Sequence, residues 1–117
     1  MSCRILVVDD ELEIRRIMQM HLRRKGYEVE TAGGTSEATA MLQSERPYDL
    51  VVCDFRMPDG NGVEVFQQLR GSTGFILISG FADMDESKLK ELGIKEIVAK
   101  PVCMEHLLIK IKASLPS

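Results

Sequence analysis

Two short apolar runs that each end in aspartate constrain this chain more than any other feature. Leu50-Val51-Val52-Cys53 leads into Asp54 and then into a turn-rich stretch, Met57-Pro58-Asp59-Gly60-Asn61-Gly62. Ile5-Leu6-Val7-Val8 leads into the adjacent pair Asp9 and Asp10. A four-residue apolar run bounded by turn residues reads as a strand buried on both faces, and such strands belong to parallel sheets covered by helices. The acidic endings then lie at the carboxyl ends of central strands, where open α/β sheets bind their ligands. A lone aspartate in that place more often caps a helix or starts a turn. Three that face one another repel unless a cation is present.

The rest of the chain alternates helix and strand patterns with short connections. Ile14, Ile17, Met18, His21 and Leu22 form one apolar helical stripe,. Gly26 is placed to end that helix as a left-handed residue, with Tyr27 making the hydrophobic contact that follows. Arg15, Arg16, Arg23, Arg24 and Lys25 mark its outer face, which reads first as solvated and second as a docking surface for an acidic partner,. His21 reads as a packed or half-exposed helix residue and not as a ligand or phosphodonor. Glu28 to Ala32 alternates like a half-exposed edge strand, and a helix follows from near Thr35 to a point before Pro47. Asn61 with Glu64 predicts an N-cap pair opening a helix over 63–70. Phe75 to Ser79 is the fourth strand. A helix through Asp85 to Leu92 closes at Gly93, Glu96 to Pro101 is the fifth strand, and Met104, Leu107, Leu108, Ile111 and Leu115 stripe a last helix.

Five strands alternating with five helices predict an α/β fold with a doubly wound, five-stranded parallel sheet. The flavodoxin-like order 2-1-3-4-5 is adopted from known sheets of this type, and it sets the ends of the first and third strands at the switch point. At 117 residues, 44% hydrophobic and 28% charged, the chain suits one domain over 1–117,. Three cysteines without C-x-x-C spacing suggest neither a disulfide frame nor a zinc site, and Cys53 reads as a buried thiol,. No stretch resembles a signal peptide or reaches membrane-spanning length, so a cytoplasmic protein is expected. The net charge of −3 argues against general nucleic-acid binding,.

The polar residues at the strand ends fall in four pieces: I-L-V-V-D-D-E, D-F-R-M-P-D-G-N-G, I-L-I-S-G-F and A-K-P-V. In this order and spacing they resemble the receiver domain of bacterial two-component response regulators, over the whole chain. The resemblance implies that Asp54 is the phosphoacceptor and that magnesium is held by Asp9, Asp10, Asp54 and the backbone carbonyl of Arg56. It also implies that Ser79 is the hydroxyl switch residue and that Lys100 contacts the phosphoryl group. A histidine kinase or histidine phosphotransfer protein is the implied donor, with an unidentified output partner; no direct nucleic-acid partner and no membrane are expected. By the same likeness the chain is a phosphoacceptor signalling domain, not an enzyme, either free-standing or part of a larger regulator or hybrid kinase.

These residue types also suit the chemistry in their own right. Magnesium prefers oxygen ligands, and a carboxylate can accept a phosphoryl group covalently when the reactants are held in line and the phosphoryl charge is neutralised. Two departures from the family pattern stand out. Ile97 takes the place, three before the lysine, where the family usually carries an aromatic switch residue. The expected signal route is therefore the loop from Ser79 to Met84, with Phe81 as its apolar reporter. Arg56 and Phe81 also stand where the family varies side chains to tune dephosphorylation. Two alternatives compete: a degenerate receiver serving only as an interaction module, and a haloacid-dehalogenase-type phosphatase. The second needs an aspartate two residues after the nucleophile, where Arg56 stands.

Overall fold

The computed structural model describes residues 3–44, 46–80 and 82–116. The expectation for Phe81 therefore lies outside the described residues. In chain order the elements are β1 (Arg4–Val8), α1 (Leu12–Arg24), β2 (Glu28–Ala32), α2 (Thr35–Leu42), β3 (Leu50–Asp54), β4 (Arg56–Met57) and β5 (Gly60–Asn61). There follow α3 (Gly62–Phe66), β6 (Gly74–Ser79), α4 (Glu86–Glu91), β7 (Glu96–Ala99) and α5 (Met104–Ser114). Five strands form one parallel sheet in the order β2-β1-β3-β6-β7. Counted among sheet strands alone this is the expected 2-1-3-4-5. The small antiparallel pair of β4 and β5 was not expected as strand, although Pro58-Asp59-Gly60 is a strong turn signal,.

Alternation along the strands divides the interior into two cores. Ile5, Val7, Leu50, Val52, Ile76 and Ile78 point to one face and pack with Met18 and Leu22 of α1 and Leu107 and Ile111 of α5. Leu6, Val8, Val51, Cys53, Phe75 and Leu77 point to the other and pack with Ala38 of α2, Val63 and Val65 of α3, and Leu89 of α4. Every residue of β1 and β3 is buried, as their continuous apolar runs require,. Of the α1 stripe, Ile17 is 45% exposed, at the edge of the packed face. His21 is half-buried, as expected.

Helix ends follow the local signals. Gly26 takes φ +91° and donates its N–H to the Arg23 carbonyl at 3.0 Å, while Tyr27 donates to Leu22 at 3.3 Å and packs on the α1 core,. Gly93, at φ +104°, ends α4 in the same way, with Ile94 fully buried behind it. Asn61 caps α3 by accepting from the Glu64 N–H at 3.2 Å. The helix is shorter than the expected 63–70. After Gln67 its bonds tighten from i→i−4 to i→i−3, at Gln68 and Leu69, and Gly71 then turns at φ +61°,.

One helix start is built by a distant residue. Gly34 stands at the N-cap position of α2 and offers no side chain. The Asp59 carboxylate fills that role from across the hairpin, accepting from Thr35 N–H at 2.8 Å and Ser36 N–H at 3.0 Å,. A Cβ on Gly34 would stand 2.7 Å from Asp59 Oδ1, so the approach needs glycine. The Ser36 and Thr35 donors hold the Asp59 carboxyl below the usual carboxylate range. A depressed folded pKa contributes stability that is present above the unfolded value and lost as pH falls through the folded one. Asp59→Ala should lower the thermal midpoint at neutral pH and speed amide exchange at Thr35 and Ser36. The gap from the parent should close below roughly pH 4; a gap unchanged in acid would assign the loss to something other than this cap.

Candidate functional site

The chemistry-bearing residues gather at the carboxyl edge of the sheet because neighbouring strands end there in register. Asp54 closes β3 and is 4% exposed. Asp9 continues the β1 ladder, donating its N–H to the Ala32 carbonyl at 3.1 Å, and its carboxylate accepts from Glu11 N–H at 2.9 Å. Asp10, the next residue, is exposed. One carboxylate oxygen from each of Asp9, Asp10 and Asp54 lies within 4.8 Å of the others. Ser79 closes β6 and is buried, and its carbonyl accepts from the Lys100 N–H at 2.9 Å, which carries the ladder one residue beyond β7. Lys100 Nζ reaches to 2.8 Å from Asp54 Oδ1. Among the described residues no donor besides this ammonium reaches the oxygen, so one of its lone pairs stays open.

The cluster is electrostatically strained. Burial first, then the charges of Asp10 and Asp83, raise the Asp54 carboxyl, and the Lys100 ammonium only partly offsets them,. Burial also leads in raising Asp9, with Asp54, Asp10 and Glu11 adding to it against the Glu11 N–H. Burial would lower Lys100, but Asp54, Asp9 and Asp83 outweigh it and the ammonium is raised. Neutral Cys53 stays out of the chemistry, since burial and then Asp54 and Asp9 push its thiol far up,. An oxygen-only donor set with surplus negative charge and a buried, open carboxylate oxygen fits a hard divalent cation,.

Around the cluster the placements are uneven. Arg56 lies in the hairpin and shares a shallow hollow with Asp10, Phe55 and Met57. Its side chain turns away, towards the loop after β6, where it pairs with Asp83 and donates to the Ala82 carbonyl at 3.1 Å. Gly62 brings the end of the hairpin under the site: a Cβ there would stand 2.5 Å from Leu77 Cδ1 and 2.9 Å from the Asp54 carbonyl. Ile97 is half-buried against the α2–α4 core and has no ring to swing. On the other side of the sheet edge, Asp9, Ile14, Ile17, Met18, Lys100 and Met104 line a groove of about 660 Å³.

Arg15 corrects the reading of the α1 outer face. It is half-buried, and its guanidinium donates to the Asp9 carbonyl at 2.7 Å, tying α1 to the site loop. Arg16, Arg23, Arg24 and Lys25 are exposed as expected. Sequence reasoning missed Asp83 altogether. Its carboxylate accepts from the Gly80 N–H at 2.6 Å while its own N–H returns to the Gly80 carbonyl at 3.1 Å. An aspartate three residues after a turn glycine was the available signal, and it is a common one.

Comparisons with known proteins place the chain in a family. Residues 5–112 match the family described as response regulator receiver domain. The probable transcriptional regulator ycf27 of Cyanophora paradoxa is 40% identical over 115 residues, covering 96% of this chain and 48% of that protein. Response regulator MprA of Mycobacterium tuberculosis is 39% identical over 119 residues, covering 98% of this chain and 51% of that one. The chain thus spans about half the length of these curated relatives. Among solved structures, a CheY-like receiver domain protein from Methanospirillum hungatei superposes with TM-score 0.87 at 32% identity, covering 97% of this chain and 93% of that one.

The raised carboxylates make a thermodynamic prediction for the metal-free protein. A carboxyl whose folded pKa lies above its unfolded value costs stability at neutral pH, and the cost is relieved as pH falls through the folded value. Asp9→Asn keeps an acceptor for the Glu11 N–H while removing one charge. In chelator it should therefore unfold at higher denaturant than the parent at pH 7, by on the order of 1 kcal/mol, with the advantage fading towards roughly pH 4. A variant less stable than the parent at pH 7 would show that repulsion is not what limits this site.

Proposed function

Because this chain belongs to the response regulator receiver family, we propose that it accepts a phosphoryl group onto Asp54 from the phosphohistidine of a histidine kinase or a histidine phosphotransfer protein, and relays the change to an output partner. The observation that carries the reading is the buried, raised Asp54 carboxylate, with Lys100 at 2.8 Å and two further carboxylates within 4.8 Å. Asp9, Asp10, Asp54 and the Arg56 carbonyl would hold magnesium. When bound, that ion supplies positive charge that makes the cluster tolerable and offsets the charge of the phosphoryl oxygens.

The residues of the chain divide the remaining work. An Asp54 carboxylate oxygen attacks phosphorus in line, the bond from phosphorus to the donor imidazole breaks, and the imidazole leaves with the bonding pair and takes up a proton. The product is an acyl phosphate on Asp54. Lys100 follows the charge from the carboxylate to the phosphoryl oxygens, which is a short move for a long side chain. Ser79 donates its hydroxyl to the same oxygens. The signal is a bias between two arrangements of the loop after β6, driven by contacts that only the phosphorylated form makes.

The exposed arginines of α1 and the groove between α1 and α5 support a donor that docks beside the site,. We read residues 1–117 as one such domain. The three free thiols agree with a cytoplasmic setting,. Among the described residues no helix is long and apolar enough to cross a membrane.

Labelling by a small acyl or amide phosphodonor tests the acceptor directly. Asp54→Asn should abolish incorporation while the circular dichroism spectrum stays native. Stable label on that variant would place the acceptor elsewhere. Asp10→Ala should leave Asp54 able to react but move the magnesium dependence of labelling to at least tenfold higher concentration, about the scale of one lost charged ligand. An unchanged titration would remove Asp10 from the metal site.

A further inference from the structure

Asp83 is a charged residue near the site that phosphoryl transfer as described does not use. Its side chain is only 2% exposed, although it sits in a surface loop. One carboxylate oxygen, Oδ2, accepts from the Gly80 N–H at 2.6 Å and lies 3.4 Å from Ser79 Oγ. The other, Oδ1, meets the Arg56 guanidinium, which also donates to the Ala82 carbonyl at 3.1 Å. Arg56 thus fastens the loop after β6, at two points, to the hairpin that follows Asp54. Gly80 lies between this carboxylate and the Lys100 stem: a Cβ on Gly80 would stand 3.4 Å from Asp83 Oδ2 and 3.9 Å from Lys100 Cδ. The Gly80 N–H and the Arg56 guanidinium thus form an anion-binding environment, which an internal carboxylate now fills,.

We infer that Asp83 is a positioning residue that stands in for the phosphoryl group, holding Ser79 and Gly80 in the unphosphorylated arrangement until a phosphoryl oxygen displaces it, with Arg56 as its fastening. The inference rests on the reading of Asp54 as acceptor and Ser79 as the hydroxyl that meets the phosphoryl group. Ser79 cannot serve both anions at once, so any phosphoryl contact it makes is gained against its contact with Asp83. A contact made only in the unphosphorylated arrangement must lower the apparent affinity for anything that stabilises the other one. It would also supply a difference between states that Ile97, lacking a ring, does not.

The test is the apparent affinity for beryllofluoride, a tetrahedral phosphoryl mimic that adds to an aspartate oxygen, measured with saturating magnesium by the amide shifts of Ser79 and Gly80. Asp83→Ala should bind on the order of tenfold tighter than the parent, the scale of one lost charge-assisted hydrogen bond. Asp83→Asn, which can still accept from Gly80, should gain about threefold. Arg56→Ala separates fastening from simple charge. It should tighten binding about threefold if Arg56 only holds the latch, and weaken it if the guanidinium attracts the anion directly. The Arg56→Ala and Asp83→Ala effects should also fall short of adding, because both loosen one contact network. Unchanged or weaker binding by folded Asp83→Asn, or weaker binding by Arg56→Ala, overturns the inference while leaving the acceptor reading intact. Failure of the parent itself to bind beryllofluoride overturns both.

Discussion

Like charges held together by a rigid sheet set the terms for the rest of this molecule. Asp9, Asp10 and Asp54 would separate if they could. They cannot, because β1 and β3 are buried along their whole length and locked by a packed core on each face,. Apolar packing far from the edge therefore holds the carboxylates within 4.8 Å of one another. Strain of this kind is stable only where the surroundings over-determine it, and it marks places built to receive a ligand. Lys100 pairs with one member of the cluster, Asp54, and leaves buried Asp9 and exposed Asp10 without a cation.

Much of this was legible because it depends on short-range pattern. Continuous apolar runs gave β1, β3 and β6, and the polar residues that end them fell where the register places them. Alternation was legible too: odd positions of β1 and even positions of β3 share a face, and Asp9 and Asp54 extend those two sets beside the α1 side of the sheet. The less visible pieces are contacts between distant segments. Asp59 reaches the start of α2 across 24 positions, and no local pattern distinguishes that aspartate from an ordinary turn residue. Arg15 looked like one of five solvated cations until the fold brought the Asp9 carbonyl beneath it.

A similar tertiary network closes the opposite end of the sheet. Arg4 stacks on the Tyr48 ring at 4.2 Å, pairs with Glu30 and donates to the Arg46 carbonyl at 2.7 Å. Tyr48 donates to Glu30 at 2.7 Å, and its hydroxyl is pushed up to about 12 by burial and that carboxylate. Here opposite charges meet and attract one another, whereas at the functional edge like charges meet and repel. The contrast puts paired opposite charges at one end of the strands and clustered like charges at the other. Elements that must move are drawn from the less stable part of a structure.

The capping of α2 by Asp59 also bears on how this chain can diversify. The segment from Asp54 to Gly62 must deliver a carboxylate to the sheet edge, a hairpin of fixed register, a cap to α2 and a glycine that clears Leu77 and the Asp54 backbone. Each requirement fixes a spacing, so inserting or deleting even one residue there breaks several contacts together. The turn at Gly71 carries no such load, since nothing lies within 4 Å of where its Cβ would be. Length variation, grafted peptides and fused reporters belong at that turn, while the eight-residue path after the acceptor admits substitution but not a change of length.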